Sequence, residues 1–145
     1  MADERKPVQV RLETLIGEKD NQERIIVEEP GDYVKKGDAH ILRFQETNEE
    51  GVVDTLVTIQ QHKTIIRRTG PIQMTQTFRE GKRTENIYHH PYGKFHLEAD
   101  TNDLTHFTNE EETDGTLEIK YDLSVNGQEK QPHQLFLQYK EDKRS

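Results

Sequence analysis

Leu117-Glu118-Ile119-Lys120-Tyr121-Asp122-Leu123-Ser124-Val125 alternates large apolar and polar side chains without a break. Successive side chains of an extended strand point to opposite faces, so Leu117, Ile119, Tyr121, Leu123 and Val125 share one wall. The same rhythm runs through Val8, Val10, Leu12, Thr14 and Ile16, and through Ile72, Met74, Gln76 and Phe78. No comparable stretch carries an apolar stripe at spacings of three and four. The expectation is an all-β chain with little or no helix.

Turn-forming residues break the chain at fairly even intervals: Lys19-Asp20-Asn21, Pro30-Gly31-Asp32, Lys36-Gly37-Asp38, Asn48-Glu49-Glu50-Gly51, Gly70-Pro71, Glu80-Gly81-Lys82, Pro91-Tyr92-Gly93, Asp114-Gly115 and Asn126-Gly127. Asp-Gly and Asn-Gly tolerate the positive φ angles of tight hairpins. The intervals predict strands near 8–17, 22–29, 39–47, 52–60, 63–69, 72–80, 84–90, 94–101, 116–125 and 131–140. The acidic stretch 109–114 reads as a solvated loop, and 1–7 and 141–145 as frayed ends of a single domain spanning 1–145. So many hairpin-linked strands must stack as two sheets or curl until their edges meet. Closure removes the unpaired edges that invite aggregation, and consecutive hairpins without long crossovers suit a single antiparallel up-and-down barrel better than a Greek-key sandwich. The expected barrel has about 8–10 strands, with an interior wide enough for side chains or one small ligand.

Composition narrows the function classes. The chain has 145 residues, 33 % of them charged, and a mean hydropathy of −1.06. Leu, Ile, Val and Phe together make up about 23 %, just above the level at which disorder sets in. The absence of cysteine removes disulfides, thiol nucleophiles, iron–sulfur clusters and thiolate zinc sites. A net charge of −8 opposes nucleic acid and anionic membrane alike. The longest apolar run is Ile25-Ile26-Val27, far too short to span a bilayer. The opening Met1-Ala2-Asp3-Glu4-Arg5-Lys6-Pro7 has no apolar leader behind it, which gives a cytoplasmic expectation.

The informative residues are polar ones in phase with apolar ones. Glu46 follows Leu42 and Phe44; Arg68 follows Ile66; Gln76 lies between Met74 and Phe78. Thr55 lies among Val53, Val57 and Ile59; Thr101 follows Leu97 and Ala99; Tyr121 lies between Ile119 and Leu123. An unpartnered polar group inside a barrel costs about 1–3 kcal/mol, and a lone charge far more. Two readings follow. In one, Arg68 closes one end of the barrel with its donors taken by Glu46, Gln76 and backbone carbonyls. In the other, Glu46, Thr55, Arg68, Gln76, Thr101 and Tyr121 are the convergent polar groups of a mostly apolar ligand pocket.

The run Arg68-Thr69-Gly70 … Met74-Thr75-Gln76-Thr77-Phe78-Arg79-Glu80-Gly81, then Tyr88, Pro91-Tyr92-Gly93, Thr101 and Gly115 … Leu117 … Ile119-Lys120-Tyr121-Asp122-Leu123, resembles the YwiB-like proteins of Gram-positive bacteria. Leu42-Arg43-Phe44-Gln45-Glu46 and Thr55 fit the same pattern, and Arg-x-Gly with Gln-x-Phe-x-x-Gly is its most specific part. The resemblance covers nearly the whole chain. It implies a calycin-type barrel, related in shape to lipocalins and fatty-acid-binding proteins, in a small cytoplasmic protein, and it brings no assigned activity. This chain departs from the pattern by placing His89-His90 before Pro91.

Catalytic chemistry finds little to use. His89 and His90 are adjacent, whereas chelation along a strand favours residues two apart. Ser124 lacks a glycine-flanked elbow, and no phosphate-cradling glycine loop is present. The expected function is non-enzymatic binding of a small apolar or amphipathic ligand, with no cofactor and no metal, by a monomer or homodimer. The alternatives are an interaction or self-association module using outward-facing Phe136 and Leu15, and an acid–base enzyme using Glu46 or a histidine.

Overall fold

Each alternating segment pairs with its neighbour in the chain, and the last pairs with the first. The computed structural model describes residues 5–109, 111 and 113–142. Its strands are β1 (Lys6–Ile16), β2 (Glu23–Lys36), β3 (Ala39–Asn48), β4 (Gly51–Gln60), β5 (Lys63–Thr69), β6 (Gln73–Arg79), β7 (Arg83–His90), β8 (Gly93–Thr108), β9 (Gly115–Val125) and β10 (Gln131–Glu141). They close into one antiparallel barrel, β1 joining β10. The only helical piece among the described residues is a 3₁₀ turn at Lys19–Asn21. Inward-facing Leu42, Ile59, Ile66, Phe78, Leu117 and Ile119 are almost fully buried and fill the middle. Full burial of such side chains stabilises by about 1.5–3 kcal/mol each.

The structure corrects four of the expected boundaries. Pro30-Gly31-Asp32 is not a turn: β2 runs straight through it. Asp114-Gly115 does not supply a left-handed glycine, because Gly115 opens β9 with no positive φ. β8 continues past 101 to Thr108 by absorbing a bulge between Thr101 and Asp103. The ends are more ordered than expected, since Lys6 pairs with Tyr33 and Glu141 with Val8. Residues 1–4 and 143–145 of those expected ends lie outside the described residues, as do 110 and 112 of the acidic loop. In the rest of that loop Asn109 accepts from the backbone N–H of Thr113 at 2.8 Å and of Asp114 at 3.1 Å, and Thr113 is buried. Asn126-Gly127, by contrast, has the positive φ angles expected of it, 52° and 73°.

The ladder is interrupted in two places. β6 and β7 register only through Gln73–His89 and Met74–Tyr88. Beyond them the Asn86 amide, turned with its nitrogen toward β6, donates to the Thr75 carbonyl oxygen across the seam. β2 pairs with β3 only from Gly31–Phe44 onward, so Glu23–Pro30 has β1 on one side and no strand on the other among the described residues. The divergence starts where a Cβ on Gly31 would lie 2.6 Å from the Arg43 carbonyl oxygen. The Pro-Gly signal therefore marks the bend at which β2 leaves β3. Among the described residues no helix is long and apolar enough to cross a membrane.

Candidate functional site

β3, β4 and β5 lie side by side, with Phe44 opposite Thr55 and Thr55 opposite Arg68. Glu46 is two residues on from Phe44 along the same inner face. This register brings three of the expected residues together. Arg68 Nε donates to Glu46 Oε2 at 2.9 Å, and the Thr55 hydroxyl donates to the same oxygen. The Arg68 and Glu46 side chains are 17 % and 15 % exposed, so the pair faces the interior near the end where β3 finishes and β4 begins. Arg68 makes no other side-chain hydrogen bond among the described residues, which leaves its four terminal N–H donors without a protein acceptor. The expected bond from Arg68 to Gln76 is not present.

Two more expected residues meet farther round the wall. Gln76 and Tyr121 line a cavity of about 410 Å³ with Met74, Tyr88, Phe95, Leu97, Leu123, Val125 and His133. Neither the Gln76 amide nor the Tyr121 hydroxyl has a hydrogen-bond partner among the described residues, although both side chains are more than nine-tenths buried. The guanidinium of Arg68 acts on both phenols at this end of the barrel, opposing the upward shift that burial gives Tyr121 and Tyr88. Thr101 is set apart. It pairs with Tyr121 on the ladder, but its hydroxyl is enclosed with no partner and does not line the cavity.

Burial dominates the electrostatics of two of the lining groups. Burial pushes the Tyr121 phenol up to about 12, against the weaker pull of Arg68. Burial also holds the His133 imidazole below its ordinary value, so it is neutral at pH 7, with its ring 5.0 Å from that of Tyr121. A group whose folded pKa is raised stabilises the fold fully below its unfolded pKa, and that stability is lost as pH climbs through the folded value. Wild-type protein is therefore expected to lose about 2–3 kcal/mol more than Tyr121→Phe between pH 10 and pH 12. Urea denaturation of both proteins across that window checks this. Equal losses would mean the phenol is hydrated.

His133, Tyr88 and Phe95 belong to this site and were not among the expected site residues, although Tyr88 is part of the family pattern. The signal for His133 was its phase with Leu135, Leu137 and Tyr139. The signal for Tyr88 and Phe95 was that they face each other across the hairpin at Pro91-Tyr92-Gly93. His90 also turns inward. Its Nδ1 accepts from the Tyr92 backbone N–H at 3.1 Å, and its Nε2 lies 3.0 Å from Glu50 Oε1, while His89 is exposed. Phe136 and Leu15, read as an outer apolar patch, are both half-buried; the strongly exposed aromatic of that wall is Phe107. On the outer wall Glu85, His96 and Glu98 hold potential ligand atoms within 4.8 Å of one another, with Arg83 3.6 Å from Glu98.

The barrel's opposite end carries a larger depression, of about 1000 Å³. Its three histidines and Glu80 are already engaged. Tyr33 bonds His40 at 2.7 Å, His106 bonds Tyr139 at 2.9 Å, and His62 bonds Glu80 at 3.0 Å. The smaller cavity is the better candidate because it combines apolar walls with unpartnered polar groups.

Residues 10–141 match the family described as a domain of unknown function, DUF1934. The chain belongs to the DUF1934 family. Each of the six expected site residues falls within the DUF1934 match. Among relatives, the chain is similar to the uncharacterised β-barrel protein YwiB of Bacillus subtilis (strain 168), with 26 % identity over 133 residues, 92 % of each chain. It is also similar to the crystal structure of the ywiB protein from Bacillus subtilis, with a TM-score of 0.87, 25 % identity, and coverage of 97 % of this chain and 96 % of the other. The DUF1934 barrel is thus shared across nearly the full length, and the relatives' descriptions supply no activity.

Proposed function

We propose that the protein binds a small amphipathic carboxylate without chemical turnover, seating its apolar part in the cavity bounded by Met74, Phe95, Leu97 and Leu123. The observation that carries this reading is that the Tyr121 hydroxyl and the Gln76 amide line an apolar space without partners, while Arg68, which does not line it, stands opposite the lining residue Met74 with its terminal nitrogens unengaged and its charge felt by Tyr121 and Tyr88. The fully enclosed unpartnered side-chain atoms among the described residues are the Thr64, Thr84 and Thr101 hydroxyls, so the Arg68, Tyr121 and Gln76 groups stay within reach of water, and a ligand carboxylate would take the place of that water. The volume falls in the usual range for small-molecule sites, and a closed antiparallel barrel with one ligand at its mouth is the calycin arrangement.

Glu46 serves as anchor. By taking Nε it fixes the guanidinium plane and presents the two terminal nitrogens as a fork, the geometry that matches a carboxylate. The test is titration with decanoate followed by amide and side-chain NMR. Saturable shifts confined to Arg68, Met74, Gln76, Tyr121 and His133, with loss of a prebound anilinonaphthalene sulfonate signal, are expected. No saturable shift up to about 1 mM, or shifts scattered over the outer wall, would overturn the reading.

A further inference from the structure

The unpaired half of β2 has the properties of a self-complementary edge. From Glu23 to Pro30 its backbone faces β1 on one side only, among the described residues. An exposed strand edge is a template for another strand. Here it is also apolar on both faces. Ile25 and Val27 share the inward face of β1's Thr14 and Leu12, and Ile26 lies on the outer face opposite Glu13. Ile25 is 45 % and Ile26 44 % exposed, and they are adjacent on this one edge. In an isolated barrel both would stay in water.

We infer that two copies of this chain associate by antiparallel pairing of their β2 edges, with a two-fold axis through Ile26. Side chains directly opposite each other in an antiparallel pair lie on the same face. For two identical edges related by a two-fold axis normal to the sheet, paired residue numbers must therefore share parity. Centring on Ile26 sets Ile26 against its own copy and places Arg24 opposite the partner's Glu28 twice on the outer face. The inner face then sets Ile25 against the partner's Val27, also twice. Centring on Ile25 or Val27 instead sets the other apolar residues against Glu23, Arg24, Glu28 or Glu29, so apolar matching selects the register; Glu23 then faces the partner's Glu29 on the inner face, which offsets part of the Arg24–Glu28 attraction. Pro30, which has no N–H, falls at the end of the paired stretch, where its lost donor costs nothing. Arg24 and Glu28 are 62 % and 69 % exposed, each held only by a longer contact of 3.6 Å to β1, so both are available to a facing strand.

The chain has no native cysteine, so the axis can be tested with one substitution. Opposed residues of an antiparallel pair have Cα atoms about 4.5–5.5 Å apart, inside the range a disulfide requires. Ile26→Cys is expected to oxidise to a covalent dimer at least ~10-fold faster than Ile87→Cys, an exposed position on β7, five strands away round the barrel. Light scattering of the full chain should show mass rising from one to two copies with concentration. Arg24→Glu should weaken association at least ~10-fold, and Arg24→Glu with Glu28→Arg should restore it. A single-copy mass up to about 1 mM, or equal crosslinking of the two cysteine variants, overturns the inference. So does a dimer that ignores both charge changes.

Discussion

Glu46→Met is expected to destabilise the barrel by about 3 kcal/mol, whereas Glu46→Met combined with Arg68→Met should be within about 1 kcal/mol of wild type. Removing one partner of a buried ion pair leaves the other charge uncompensated, at a cost of about 3–5 kcal/mol; replacing both with apolar groups of similar volume is often neutral or stabilising. The modest exposure of the two side chains, 17 % and 15 %, puts the single substitution at the lower end. Arg68→Met alone should cost less than Glu46→Met, because Thr55 remains as a donor to the carboxylate. It should also weaken decanoate binding by roughly 30- to 100-fold, the effect of losing a charge-assisted hydrogen-bonding fork worth about 2–3 kcal/mol. Urea denaturation of the four proteins gives the stability cycle, and calorimetric titration gives the affinity. Unchanged affinity in Arg68→Met would remove the carboxylate from the arginine. A double variant as unstable as Glu46→Met would mean the cost lies in shape rather than in the stranded charge.

How far these residues could be read from sequence depends on the range of the signal. Period-two alternation is local, so it placed Glu46, Thr55, Arg68, Gln76 and Tyr121 on inner faces without knowledge of any partner strand. The meander order followed from turn spacing, because hairpin neighbours pair by default. Which of the inward groups touch is a matter of register. Arg68 reaches Glu46 because β5, β4 and β3 align Arg68, Thr55 and Phe44 in one row, whereas Gln76, opposite Ile66, is offset from it. Thr101 had the right phase and still does not line the cavity, since phase fixes a face and says nothing of depth. The free edge of β2 was illegible for a different reason. Glu23–Pro30 reads as an ordinary strand, and only the point at which the β2–β3 ladder stops, at Gly31–Phe44, shows that half of it lacks a second neighbour.

Glycines show the same division between local and distant causes, and Gly115 supplies the last large expected effect. Asp-Gly is a hairpin signal because glycine accepts positive φ. At Gly115 the conformation is extended, and the reason for glycine lies across the sheet at its partner Tyr139. A Cβ on Gly115 would sit 2.3 Å from the Tyr139 hydroxyl oxygen and 2.4 Å from Cζ. That ring has nowhere to move. It is fully buried, stacks 5.1 Å from Tyr33, and bonds His106 at 2.9 Å. Overpacking typically costs about 1–3 kcal/mol, and a rigid, hydrogen-bonded ring puts Gly115→Ala at about 3 kcal/mol. Near the midpoint this corresponds to a fall in Tm of roughly 6–12 °C for a chain of this size. Gly115→Ala with Tyr139→Leu should be more stable than the sum of the two single changes, because the smaller side chain vacates the space the methyl needs. Thermal melts of the three variants decide it. If the two changes simply add, glycine at 115 serves the backbone after all, and the cross-strand account of it fails.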